Sequence, residues 1–241
     1  MTPRDAFEIL LENFGPQGWW PVTPPSGKNT AYRPRVYVPQ SETERFEITL
    51  GAILTQNTSW KNVERALSAL FAEGIRTPRG LLAVPPEKLR RLIRPSGYFV
   101  QKEKKLRIFA WHLVRAHPRG LGAWLGGKDL DLARRELLSL WGIGPETADS
   151  ILLYASGQPV CVVDAYTLRI GKRLGWYPEK TDYAAAQKCL CENLPAKAPV
   201  YNEFHALMVA LGKNFCKKTP VCANCPLKRK CAGKKGEKIW N

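Results

Sequence analysis

Four cysteines fall in one short stretch, CKKTPVCANCPLKRKC, as Cys216, Cys222, Cys225 and Cys231, a C-x5-C-x2-C-x5-C run. Four thiolates crowded into a single loop suit an iron–sulfur cube, which takes one cysteine at each iron. Structural zinc fits less well, because it usually draws on two separated C-x2-C knuckles and only one such pair is present. Free thiols are the third reading. Cys161, Cys189 and Cys191 lie inside patterned segments and read as buried thiols.

A second chemical feature is LLSLWGIGPETADSILLYA, Leu137 to Ala155, where two glycines sit one residue apart between apolar helical runs. Gly142 and Gly144 are expected to take backbone angles closed to other residues, with Ile143 turned into the core. A helix–turn–helix of this kind aims backbone N–H groups outward at the start of its second helix, with the helix dipole behind them. That is an anion site which a phosphate can approach closely. The plain alternative is a hairpin whose glycines only make the bend. Glu146 falls in the first turn of the second helix, where the dipole favours an acid.

In CVVDAYTLRI, Asp164 stands where a further helix begins. An N-cap accounts for such an aspartate. The same place suits catalysis, because helix-end N–H groups keep a carboxylate ionised and a fixed negative charge can stabilise a cation forming on a sugar. Cleavage of an N-glycosidic bond passes through a cation of that kind, by analogy with glycoside hydrolysis.

Helical periodicity dominates the elements that must position these groups. Helices are predicted over 3–14, from Ser41 through the run ending at Leu54, and over 59–74, 86–93, 101–116, 130–140, 145–156, 165–174, 182–193 and 201–214. Ser41 and Glu44 have capping-box spacing. Residues 15–40 are proline-rich and read as an ordered loop or extended segment, and 94–101 as a turn. PVCVV, at 159–163, is the best strand signal in a chain that otherwise lacks them.

The 241 residues suffice for one large domain or two small ones, and 44% hydrophobic content with eight tryptophans supports a real core. No run approaches the ~18 apolar residues of a membrane span. The N-terminal apolar run carries acids, unlike a secretory signal, so a soluble intracellular protein is expected. Net charge is +16, and residues 211–241 hold nine Lys/Arg against the single acid Glu237. A basic balance on a folded chain points to a polyanion, most often nucleic acid, with a solvated tail as the bland reading.

The glycine turn resembles the helix–hairpin–helix of the endonuclease III superfamily of DNA glycosylases, with VVDAYTLRIGKRLGW following at the family's distance. The likeness runs from GAILTQNTSW through the four-cysteine tail. It implies that Gly142 and Gly144 hold the DNA backbone, often through a bound cation, that Asp164 is the catalytic aspartate, and that the tail carries a [4Fe–4S] cluster on Cys216, Cys222, Cys225 and Cys231. The first gap of this tail is x5 where endonuclease III has x6. Members that cut the strand place an attacking lysine where this chain has Glu146, and a carboxylate cannot form a Schiff base. The resemblance therefore implies a monofunctional glycosylase, in which Glu146 is structural or has a catalytic or base-contacting role.

GWWP, LGAILTQNTSWKNV, IRPSGYFVQKEKKL, GIGPETADSILLYA and VVDAYTLRIGKRLG also resemble, in order, segments of the third bacterial type of 3-methyladenine DNA glycosylase. That group stacks the flipped base between two aromatic rings, here Trp20 and Trp60 by position, where ordinary core packing is the alternative. Gln56 resembles the glutamine that enters the gap left in the duplex, its alternative being an exposed helix-end amide. Adenine-mismatch glycosylases carry a glutamate where this chain has Ala52, which argues against adenine excision. Some members of the third type lack the cluster, so this chain joins their pocket to the endonuclease III tail.

The combined expectation is an all-α, two-lobed helix–hairpin–helix DNA glycosylase with a cleft between its lobes. Residues 41–145 would form a multi-helix barrel lobe ending in the hairpin, and residues 1–40 plus 146–241 the second lobe, with the [4Fe–4S] loop at 216–231. Its partner would be duplex DNA with a damaged base, no membrane is implied, and it would act as a cytoplasmic, nucleoid-associated monomer. Glycosylases for uracil, thymine or hypoxanthine, and a non-catalytic DNA-binding module, are the alternatives.

Overall fold

In this computed structural model, residues 1–24, 27, 29–231 and 233 are described. Lys234, Lys235 and Lys238 of the basic tail lie outside the described residues. Twelve α-helices occur among the described residues: α1 (Pro3–Phe14), α2 (Glu42–Leu54), α3 (Trp60–Ala72), α4 (Pro78–Ala83), α5 (Pro86–Ile93), α6 (Phe99–Ala116), α7 (Leu121–Leu125), α8 (Leu130–Ser139), α9 (Pro145–Ser150), α10 (Ala165–Leu174), α11 (Tyr183–Asn193) and α12 (Ala198–Asn214). A 3-10 turn at Arg94–Ser96 precedes α6, and α9 runs on into a π-turn at Ile151–Ala155. The short α4 and α7 were hidden from periodicity, which needs more turns than they contain.

The only β pairing among the described residues is an isolated antiparallel bridge between Val22 and Ala31. PVCVV is therefore not a strand. Val160, Cys161, Val162 and Val163 are buried in an irregular connection that leads into α10. Their apolar run reflects burial, and β-branched residues imitate a strand whenever a connection is buried on all sides.

Two compact units divide the chain: residues 1–19 with 159–241, and residues 20–158. In the unit of residues 20–158, α2 is buried without interruption from Phe46 to Leu54. Ser41 caps it by accepting from the Glu44 N–H at 3.2 Å, but Glu44 does not return the bond. Its carboxylate pairs with Arg33 at 2.8 and 2.9 Å and accepts from the Gln40 N–H at 2.7 Å, so only half of the expected capping box forms. The partial burial of Glu44 is offset by these contacts, which hold its carboxyl below the usual range.

In the unit of residues 1–19 and 159–241, α12 packs against α1 and α10. Gly212 makes the second contact possible, because a Cβ there would lie 2.2 Å from the Tyr166 ring. Cys161 is buried as expected, whereas Cys189 is half-buried and Cys191 exposed. α11 buries Ala186 and Leu190. Position 191 lies about 100° further round the helix, which turns Cys191 away from that seam. Among the described residues, no helix is long and apolar enough to cross a membrane.

Candidate functional site

The glycine turn is a braced hairpin. α8 and α9 are tied by a two-pronged ion pair, Arg134 Nε to Asp149 Oδ1 at 2.6 Å and its terminal nitrogen to Oδ2 at 3.1 Å, with Asp149 fully buried. A buried carboxylate is tolerable here because a guanidinium fork satisfies both oxygens. Ile143 is buried, as its alternation with the glycines implied. The two glycines are not equivalent, however. Gly142 has φ +86°, and a Cβ on it would lie 2.5 Å from the Lys105 chain. Gly144 has φ −94° and ψ 177°, angles open to any residue, and its missing side chain faces open space. Only Gly142 is demanded by the bend. Gly142→Ala is expected to cost about 1–2 kcal/mol for the left-handed backbone and to dislodge Lys105, while Gly144→Ala should leave folding within about 0.5 kcal/mol. Urea denaturation of both variants checks this.

Gln56 joins this hairpin instead of projecting as a free helix-end amide. Its Nε2 donates to Gly142 O and to Thr147 Oγ1, each at 3.0 Å, and its Oε1 accepts from Lys105 Nζ. Lys105 is partly desolvated, which lowers its pKa. Nearby Lys102 is buried and donates to Leu54 O at 2.8 Å and Ser96 O at 2.6 Å, closing the carbonyl end of α2. Burial, with some help from the charge on Lys105, pushes its amine down to about 8. Glu146 is exposed in the first turn of α9.

Trp20 and Trp60 are brought together in the unit of residues 20–158. Their rings meet edge to face at 5.2 Å and 88°, and Tyr154 of the π-turn meets Trp20 at 5.0 Å and 64°. Both indoles are buried. Trp20 rests on α2 at Gly51, where a Cβ would lie 2.9 Å from the indole Nε1. In their present orientation the two rings touch, so a planar base enters between them only if one indole swings aside.

The segment that carries Trp20 is held by Glu47 of α2, whose carboxylate accepts from the Thr23 N–H at 2.9 and 3.0 Å and from its hydroxyl at 2.7 Å. Burial raises the Glu47 pKa from 4.5 to about 7 against the pull of those bonds. An acid whose pKa is raised on folding binds its proton more tightly in the folded state. Its contribution is therefore greatest below pH 4.5 and is lost as pH rises to about 7, a span worth about 3 kcal/mol. Thermal unfolding from pH 4 to 8 should show that decline, and Glu47→Gln should flatten it.

Asp164 is the N-cap of α10, with Oδ1 accepting from the Thr167 N–H at 2.7 Å. Its Oδ2 lies 3.8 Å from Nε2 of His205, a buried α12 residue. Burial lowers the His205 pKa, although the Asp164 charge opposes the shift. The carboxylate thus has one oxygen fixed by the backbone and the other toward an imidazole.

The cysteine tail is anchored to α10 through arginines. Arg173 donates to Cys216 Sγ at 3.2 Å and to the carbonyls of Lys217 and Lys218 at 2.6 and 2.7 Å, and Arg169 donates to Cys216 O at 3.0 Å. Burial raises the Cys225 pKa against a backbone hydrogen bond at Leu227, and Cys216, Cys231 and Cys222 add to the rise. Four thiols within one another's field, with an arginine N–H on one sulfur, make a donor set suited to an all-cysteine metal group.

Residues 50–196 match the model of the HhH-GPD superfamily of base excision DNA repair proteins, a span that includes Gln56, Trp60, the hairpin and Asp164. The chain belongs to this superfamily. A Methanocaldococcus jannaschii protein with the provisional name of DNA repair glycosylase is 42% identical over 228 residues, covering 95% of this chain and 94% of that one. Endonuclease III of Thermotoga maritima is 34% identical over 195 residues, 79% of this chain and 84% of its own. In three dimensions, a trapped endonuclease III–DNA covalent intermediate matches with a TM-score of 0.75 at 25% identity, over 98% of each chain. An H. pylori 3-methyladenine DNA glycosylase bound to 1,N6-ethenoadenine matches at 0.68 and 25%, over 88% of this chain and 98% of that one. The all-helical endonuclease III fold and the DNA glycosylase class follow from these matches.

Several residues of this HhH-GPD chain escaped the sequence reading. Lys105 was one basic residue in KEKK, and nothing in its spacing pointed toward Gln56. Tyr154 ends the apolar run SILLY, and nothing local to it pointed toward Trp20. Gly51, a glycine inside an apolar helix, was a usable signal that another group comes close there. The Arg134–Asp149 brace was signalled by an aspartate within the apolar run of TADSILL.

Proposed function

We propose that this HhH-GPD protein is a monofunctional DNA glycosylase that extrudes an alkylated purine such as 3-methyladenine from duplex DNA and hydrolyses its N-glycosidic bond. The observation that carries the substrate reading is the Trp20–Trp60–Tyr154 cluster, gathered at 5.0–5.2 Å spacing over a glycine. An alkylated purine of this type is cationic, and indole faces attract cations by about 0.5–2 kcal/mol, with about 1–3 kcal/mol more from stacking. Trp60 opens α3 and is hydrogen-bonded to Tyr32, so admitting a base beside it would break that contact.

A cationic purine leaves without prior protonation. The C1′–N bond electrons go to the departing base, which becomes neutral, and the sugar takes the positive charge. Asp164 stabilises that cation through its carboxylate charge, then helps orient the water that adds to C1′ and releases one proton. Gln56 fills the vacated position in the duplex, leaving its bonds to the hairpin. Gly142 and Gly144 receive a DNA phosphate on backbone N–H groups, and the open face at Gly144 is where the strand comes nearest. Gly144→Ala should then weaken DNA binding although it folds normally.

Cys216, Cys222, Cys225 and Cys231 would hold a [4Fe–4S] cluster, which when bound cross-links the tail and supplies a one-electron redox centre. Cys222→Ser is expected to cost the brown absorbance and most of the bound iron, read by visible spectroscopy and iron assay. Lys217, Lys218 and Lys228 to Lys230 lie among these ligands and would offer charge to phosphates. The protein would work as a monomer, in the cytoplasm at the nucleoid.

Absence of strand cutting rests on Glu146, a carboxylate where strand-cutting relatives carry the attacking amine. The test is incubation with alkylated duplex in two arms, one without borohydride and one with it. The expected product of the first is an abasic strand that breaks only in alkali, and the second should yield no covalent protein–DNA adduct. Spontaneous nicking or a trapped protein–DNA adduct would overturn it.

A further inference from the structure

Only three histidines occur in the chain, and two of them converge on one carboxylate away from the residues assigned above. His112 lies near the end of α6, His117 caps that helix, and Glu136 belongs to α8. Nε2 of His112 and Nε2 of His117 point to the same Glu136 oxygen, Oε1, at 3.3 and 2.7 Å. The three prospective ligand atoms all lie within 4.8 Å of one another. We propose that His112, His117 and Glu136 form a divalent transition-metal site, with Zn²⁺ as its natural occupant. The inference does not depend on the glycosylase reading.

The surroundings are those of a ligand set. Oε2 of Glu136 is taken by the Trp124 indole N–H at 2.9 Å and by the Lys128 ammonium, which fix the carboxylate and leave Oε1 to the imidazoles. The His117 ring lies flat on Trp124 at 4.2 Å and 7°, which sets its plane. Donors that orient a ligating carboxylate from outside are a regular part of metal sites. The three side chains keep 17–23% of their surface, so an ion can arrive from solvent.

As hydrogen bonds, both rings must carry a proton on Nε2 and share one oxygen. As ligands, both offer a lone pair to one point. Bonds of about 2.0–2.2 Å in a tetrahedral site place ligand atoms roughly 3.3–3.6 Å apart. The His112 contact already has that separation, and the His117 contact reaches it by opening less than about 1 Å. Two imidazoles and one carboxylate select zinc, cobalt or nickel over magnesium or calcium. Three protein ligands leave a fourth position to water. The ion would pin the end of α6 to α8, the first helix of the hairpin. Lys128 works against it by adding positive charge, so Lys128→Gln should tighten binding several-fold.

The experiment is a Zn²⁺ titration of the intact, cluster-loaded protein, followed by imidazole NMR and by calorimetry. His112 and His117 resonances should shift together at one equivalent while His205, buried in the other unit, stays in place. His117→Gln should bind one zinc fewer than the parent. Imidazole signals of His112 and His117 unmoved at saturating Zn²⁺, or equal zinc counts in the parent and His117→Gln, would overturn the proposal. The NMR arm uses the unmodified chain, so a poorly folding variant leaves it decisive.

Discussion

Asp164→Asn is expected to abolish base release while leaving DNA binding and fold intact. Asparagine keeps an oxygen for the Thr167 N–H, now accepted at 2.7 Å, and is as good an N-cap as aspartate, so α10 should start as before. What disappears is the charge. Removing one preorganised electrostatic contact to a transition state typically costs about 10²–10³ in rate, and a full charge beside a cation belongs at or beyond the upper end. Single-turnover base release, with binding measured separately, reads both quantities. Turnover within a few-fold of the parent would show that Asp164 is only a helix cap.

Trp60→Ala should produce the second large effect, and it has two parts. Losing about 1–3 kcal/mol of stacking slows excision by roughly 5- to 150-fold. Emptying the space beside Trp20, 5.2 Å away, costs about 3–5 kcal/mol of stability as well. Trp60→Phe separates the two, because it keeps an aromatic face and most of the volume and should recover most of the excision. For a cationic base the loss should exceed that for a neutral one, since the indole quadrupole adds attraction only to the cation. Equal losses on both would remove the cation preference assigned to Trp60, and no loss of excision on either would place it in the core alone.

The helices were legible because an amphipathic period repeats over several turns, and α3, α5 and α10 lie within two residues of their predicted spans. α4 and α7 were not, being too short to repeat. The hairpin was legible from Gly-Ile-Gly, yet the sequence treated its glycines alike, and only the backbone distinguishes φ +86° at Gly142 from −94° at Gly144. Asp164 at a helix start was readable from local chemistry, but its neighbour His205 is 41 positions away, and no local pattern links them. The same holds for Lys105 on Gln56 and for two histidines on Glu136. Local rules reveal caps and turns; long-range side-chain meetings need the fold. PVCVV failed for the opposite reason, since burial and strand formation write the same residues.

The most direct measurement is base release from a panel of duplexes carrying 3-methyladenine, hypoxanthine, uracil or mismatched thymine, each developed with alkali to reveal abasic sites. A fixed anion and an indole cluster, with no acid assigned to protonate the leaving base, should favour a base that already bears positive charge. The expected result is excision of 3-methyladenine well above every neutral base, lost in Asp164→Asn. Release of uracil or thymine alone, or binding without release from any duplex, would contradict it.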